Sequence, residues 1–147
     1  MGTLMRPTAF AIGLGFLTVG VLGFIPALVT HFDTMTIAGR DSDAHLFGVF
    51  EVSVLHNVVH LLFGVVGLLA SRRWSSARSF LIAGGVIYLL LCVYGLIIEP
   101  DGSANFVPLN TADNWLHLGL GVVMISLGLL LDRDRAGLRK GTRTMGR

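Results

Sequence analysis

Four apolar stretches, each long enough to cross a bilayer, constrain this chain more than any other feature. A helix needs roughly 20 consecutive apolar residues to span about 30 Å of hydrocarbon, and residues 7–30, 52–70, 79–98 and 114–131 meet that length. The composition agrees: 53% of the 147 residues are hydrophobic and 14% charged, with a mean hydropathy of +0.74. A soluble domain carries about a quarter charged residues, so disordered, coiled-coil, collagen-like and nucleic-acid-binding classes are excluded. The expected architecture is all-α: a four-transmembrane-helix bundle over residues 1–132, then a basic tail at 133–147. The first stretch runs too long for a signal peptide and lacks a small-x-small cleavage site, so it is read as a retained span.

The basic residues orient the bundle. Arg6, Arg72, Arg73, Arg78, Arg133, Arg135, Arg139, Lys140, Arg143 and Arg147 fall before span one, between spans two and three, or after span four. The other two connections hold Arg40 alone among Asp33, Asp41, Asp43, Glu51, Glu99, Asp101 and Asp113. Positive charge stays inside, so both termini are expected in the cytoplasm and the acidic loops outside. The pI near 9.2 therefore reports topology rather than a nucleic-acid partner, and the tail is expected to rest loosely on anionic lipid. Cys92 is the single cysteine, which rules out an intrachain disulfide or a thiolate zinc site.

A motif occurs twice. Span two reads Asn57-Val-Val-His60-Leu61-Leu-Phe-Gly64-Val65-Val66 and span four reads Asn114-Trp-Leu-His117-Leu118-Gly-Leu-Gly121-Val122-Val123, giving N-x-x-H-L-x-x-G-V-V. Spans one and three resemble each other loosely. The chain thus reads as two repeated helical hairpins related by an axis along the membrane normal, with His60 and His117 at matching depths. Counted at 1.5 Å per residue from the arginine side, they lie about 15 and 21 Å deep. His56 and Asp113 stand one turn above them, and glycines continue both stripes, so these faces are expected to point into the bundle.

Ionisable groups at membrane depth are costly and mark functional candidates. The plainest reading is a structural clasp formed by Asn57, His60, Asn114 and His117, in which a neutral imidazole bonds an asparagine across the axis or a backbone carbonyl, at about 1 kcal/mol per bond. An alternative is a non-covalent haem b between His60 and His117, with Gly64 and Gly121 making room. Another is a divalent metal held by His56, His60 and His117 with Asp113 or Glu51. Proton or solute passage along Glu51, His56, His60 and Asp113 is poorly served by four short, unbroken helices. No cofactor is favoured, and nucleotide and protease motifs are absent from the sequence.

The run Phe106-Val-Pro-Leu-Asn110-Thr-Ala-Asp113-Asn114-Trp115-Leu116-His117, together with His56-Asn57-Val-Val-His60-Leu61 followed by Gly64, resembles the signature of a bacterial family of small four-helix membrane proteins catalogued as a domain of unknown function. The resemblance covers most of residues 5–131. It implies an integral membrane fold and brings no established substrate or cofactor. The expectation is a small, non-enzymatic cytoplasmic-membrane protein, acting through helix packing as a homo-oligomer or as an accessory subunit of a larger membrane complex, with the lipid bilayer as its constant partner.

Overall fold

The computed structural model describes residues 4–39, 41–99, 104, 105, 107 and 109–144, with residues 133–144 described by backbone alone. Arg40, Asp101, Phe106, Pro108 and Arg147, and the side chains of the basic residues from Arg133 to Arg143, lie outside the described residues.

Four helices form: α1 (Met5–Leu22), α2 (Val54–Ala70), α3 (Trp74–Ile97) and α4 (Thr111–Thr144). Between α1 and α2 lies a small antiparallel sheet of β1 (Val29–Thr30), β2 (His45–Leu46) and β3 (Phe50–Glu51), in that order. Val29 pairs with Leu46, and His45 with Glu51. This sheet corrects the all-α expectation to a mostly helical one; β1 takes the last two residues of the expected first span, and β2 and β3 lie in the connection after it. Ile25 precedes Pro26 and adopts the extended backbone favoured before proline, so α1 stops at Leu22 instead of Thr30.

The other boundaries have equally local causes. Ser53 is extended, and its hydroxyl accepts the His56 N–H at 3.1 Å, an N-cap that starts α2 two residues later than expected. Trp74 begins α3 five residues earlier than residue 79, so the connection between α2 and α3 shrinks to Ser71–Arg73. No proline follows Leu131 to stop α4, and its backbone stays helical to Thr144 where a loose tail was expected. Three helical segments are long and apolar enough to cross a membrane: Met5–Leu22, Trp74–Ile97 and Thr111–Asp132. At 17 residues, α2 is shorter and runs against α1 as its hairpin partner.

Two hairpins, α1–α2 and α3–α4, dominate the packing, and they meet chiefly where α1 crosses α3. Glycine sets their closeness. A Cβ on Gly13 would lie 2.9 Å from the Gly67 carbonyl carbon, and one on Gly85 2.8 Å from the Gly121 carbonyl oxygen. Such close approach through small residues is how helices associate in lipid.

The buried positions repeat with a fixed spacing. In α1, Met5, Ala9, Gly13, Phe16 and Gly20 are buried; in α3, Ala77, Leu81, Gly85, Tyr88 and Cys92 lie 72 positions later and are buried too. In α2 the buried set is His56, Asn57, His60, Gly64 and Gly67, and in α4 Asp113, Asn114, His117, Gly121 and Met124 follow at 57 positions. The first repeat's longer connection, which carries the sheet, accounts for the difference between the spacings.

Candidate functional site

Each motif asparagine secures its own hairpin. The Asn57 amide donates to the Gly23 carbonyl at 2.8 Å, and the Asn114 amide to the Gly95 carbonyl at 3.1 Å. Both acceptors belong to the last turn of their helix, where carbonyls have no intrahelical partner. In both cases the asparagine side chain also fills the space where a Cβ on the glycine would stand. The asparagines therefore do not reach the histidines across the axis, as the clasp expectation allowed. His60 uses the other option in that expectation: its Nδ1 lies 3.0 Å from the His56 carbonyl. That bond makes Nδ1 the donor and leaves Nε2 as the lone-pair nitrogen.

The histidines instead line a chamber of about 80 Å³ between the loop ends of α2 and α4, helices that touch each other little. His56, Asn57 and His60 come from α2, Asp113 and His117 from α4. Leu46, Phe47, Phe50 and Val52 from the sheet region roof it. Behind the imidazoles, Phe16 and Tyr88 stack with ring centres 5.2 Å apart. Phe16 lies 5.9 Å from the His60 ring and Tyr88 5.2 Å from that of His117, while His56 stacks on His60 at 4.7 Å. His60 is 8% exposed and His117 3%. The His117 Nδ1 is buried with no hydrogen-bond partner.

The roof is held down from both sides. Phe47 sits at the β2–β3 tip with a left-handed φ of 55°, followed by Gly48 at 70°. A bulky residue there costs on the order of 1 kcal/mol. The Phe47 N–H donates to the Leu28 carbonyl, and the Asn110 amide to the Val49 carbonyl, both at 2.8 Å.

Asn110 has a second task. Its side-chain oxygen accepts the Asp113 N–H at 3.0 Å, and Asp113 Oδ2 accepts the Asn110 N–H at 3.1 Å. This is a reciprocal cap at the start of α4, and Asn110 stands 57 positions after the Ser53 cap. Asp113 Oδ2 also accepts the Glu51 N–H at 3.1 Å, which binds β3 to the second hairpin.

Glu51 reaches the site through its backbone. The residue also lines a separate cleft of about 560 Å³, with Cys92, Asn110, Asn114 and Trp115. Burial pushes the Glu51 carboxyl above the usual carboxylate range; His45 opposes the shift and Asp43 adds to it. Larger than the chamber, this cleft has much of its polar edge engaged already, in the Asn110 cap and the Asn114 clasp.

The glycines beside the motif histidines are packed against neighbouring helices. Leu17 and the Gly13 backbone occupy the space beside Gly64, and Leu89 and the Gly85 backbone that beside Gly121. These glycines close helix seams and open no slot, and a chamber of about 80 Å³ falls well below the roughly 300 Å³ that a drug-sized ligand needs. Among the described residues, no group of three or more His, Cys, Asp or Glu side chains is placed to hold a metal ion. Of the residues expected to hold a metal, His56, His60, His117 and Asp113 border the chamber, and Glu51 lines the neighbouring cleft.

The sequence reading missed the partners of the motif, Gly23, Gly95, Ser53, Asn110 and Phe16. A signal for the α1–α3 half exists at the 72-position spacing, where Gly13 and Gly85, Leu17 and Leu89, Val21 and Val93, and Gly23 and Gly95 are identical.

Two like hairpins closed on a polar chamber, with three spans apolar enough for lipid, define a small helical protein of membrane character. The chain belongs to the family described as a domain of unknown function, DUF4383, which matches residues 6–130. No match to it is found among curated proteins or among solved structures.

Proposed function

We propose that this chain is a non-enzymatic multi-pass protein of the bacterial cytoplasmic membrane, with both termini inside, that acts through helix packing as a homo-oligomer or accessory subunit. The observation that carries this reading is the paired clasp, Asn57 on Gly23 and Asn114 on Gly95, which commits the motif's asparagines to internal seams. What each hairpin presents outward is apolar: Leu62, Val66 and Leu69 on α2, and Val122, Val123 and Leu130 on α4. Rows of this kind suit lipid or the helices of a partner. The ten basic residues gathered at one end of the chain's spans support the orientation.

Cysteines introduced by Asp33→Cys and Ser75→Cys test the topology, since both positions are exposed and the native Cys92 is buried. An impermeant maleimide on intact cells should label the first and spare the second. The reverse pattern removes the proposed orientation. Native mass spectrometry from lipid nanodiscs tests the packing role: two or more copies, or a stoichiometric companion protein, support it, and a solitary chain overturns it.

A further inference from the structure

The chamber holds a carboxyl group with no arginine or lysine beside it among the described residues. Asp113 is 2% exposed, and its carboxylate accepts the Glu51 and Asn110 N–H groups. Among the described residues no arginine or lysine pairs with it: Arg6 donates to the Ser71 carbonyl and Arg78 pairs with Asp132, both at the opposite end of the bundle. Two N–H donors and the positive end of α4 favour a carboxylate there, yet an ionised group that is buried and unpaired still costs several kcal/mol.

The surroundings show what can supply the missing charge. Around the chamber that Asp113 borders, α2 brings His56 and His60 and α4 itself brings His117 one turn down, with the Tyr88 ring of α3 packed edge-on against His117. The sheet adds Glu51, a second acid, and its cross-strand neighbour His45. From α1 come only apolar groups, Phe16 and Val19. Proton acceptors thus stand on both sides of the gap: the lone-pair Nε2 of His60 on α2, and the unpartnered His117 Nδ1 with the Asp113 carboxylate on α4. The volume is enough for a few bridging waters, each needing about 10–15 Å³ of such space. The stacked Phe16 and Tyr88 rings pack against the His60 and His117 imidazoles.

We propose that the chamber binds one exchangeable proton, taken up from the loop end and shared between Asp113 and the facing imidazoles, and that this proton ties α2 to α4. Direct contact between those helices is slight, so the shared proton contributes much of their attraction at the loop end. Its loss leaves a bare carboxylate in the gap and loosens the junction. This inference is separate from oligomeric state and does not depend on it.

The full chain in lipid nanodiscs provides the test. Infrared spectroscopy reads the carboxyl group, nitrogen NMR reads the imidazoles, and a spin-label pair reads the α2–α4 separation. One proton per chain should titrate as a shared unit, with the helices separating as it leaves. Asp113→Asn keeps an oxygen for the Asn110 and Glu51 N–H groups, so it should fold and lack the titration. His60→Gln and His117→Gln should each move the midpoint by about one pH unit or more. An ionised Asp113 beside neutral imidazoles at every pH overturns the proposal, as does a titration that Asp113→Asn leaves untouched. A midpoint that shifts when sodium replaces choline also overturns it, because the ligand would then be a metal cation. Should Asp113→Asn fail to fold, the wild-type infrared titration decides alone.

Discussion

The two hairpins share a frame and differ in what they place on it. Both close on a glycine crossing, Gly13 against Gly64 and Gly67 in one and Gly85 against Gly121 in the other, and both secure the last turn of their first helix with an asparagine. At the chamber the repeat departs from itself: His56 answers to Asp113, and Phe16 to Tyr88. The capping serine of the first hairpin answers to an asparagine in the second that also ties down the sheet. Gly13 and Gly85, Gly64 and Gly121, and His60 and His117 are kept in both halves, whereas Gly67 gives way to Met124. The chamber thus combines a repeated imidazole pair with partners that differ between the hairpins.

Loss of the glycine crossings should have the largest effect. In Gly13→Ala and Gly85→Ala the new methyl meets backbone, which cannot rotate aside, and each should cost about 3 kcal/mol, by thermal unfolding in detergent. A much smaller cost for one of the two would mean that its hairpin is not built on the same crossing.

The asparagines come next. Asn57→Ala and Asn114→Ala should each cost about 1–2 kcal/mol. Asn57 should cost more, because its bond is the shorter and it is the more deeply buried. Equal losses would erase that ranking.

The caps separate the hairpins further. Ser53→Ala removes a single helix cap worth about 1 kcal/mol. Asn110→Ala removes a cap and the Val49 tether together, and hydrogen exchange at the β2–β3 tip should rise in that variant alone. Unchanged exchange there would show that the tether does not hold the roof.

The smallest effect is one of pH. Because burial raises the Glu51 carboxyl above its ordinary value, the folded state favours its protonated form. The stability this contributes is fully present below the unfolded value of about 4.5 and is lost as pH rises through the raised folded value. Glu51→Gln should flatten melting temperature against pH across that window. An unchanged slope would assign the dependence to other groups.

Much of the frame could be read in the sequence. The apolar lengths, the N-x-x-H-L-x-x-G-V-V repeat and the placement of the arginines predicted four helices in two hairpins, and four helices paired as α1–α2 and α3–α4 are present. The sheet was missed because strands of two residues leave no periodic signal, and Val29 and Thr30 simply extend an apolar run. The proximity of His60 and His117 was an inference from the repeat. Their engagement was harder to read, since a polar group in a helix can bond its own backbone, its neighbour or water with similar energy.

By itself the sequence determined the apolar character of this chain's helices, their number and which of their faces are small enough to touch. Hydropathy and periodicity are sums over many residues, and they survive ignorance of any one contact. Only the tertiary structure decided that the asparagines close each hairpin on a glycine carbonyl while the imidazoles border an open space. That choice depends on a few hydrogen bonds between residues far apart in the chain, whose geometry exists only once the backbones have met.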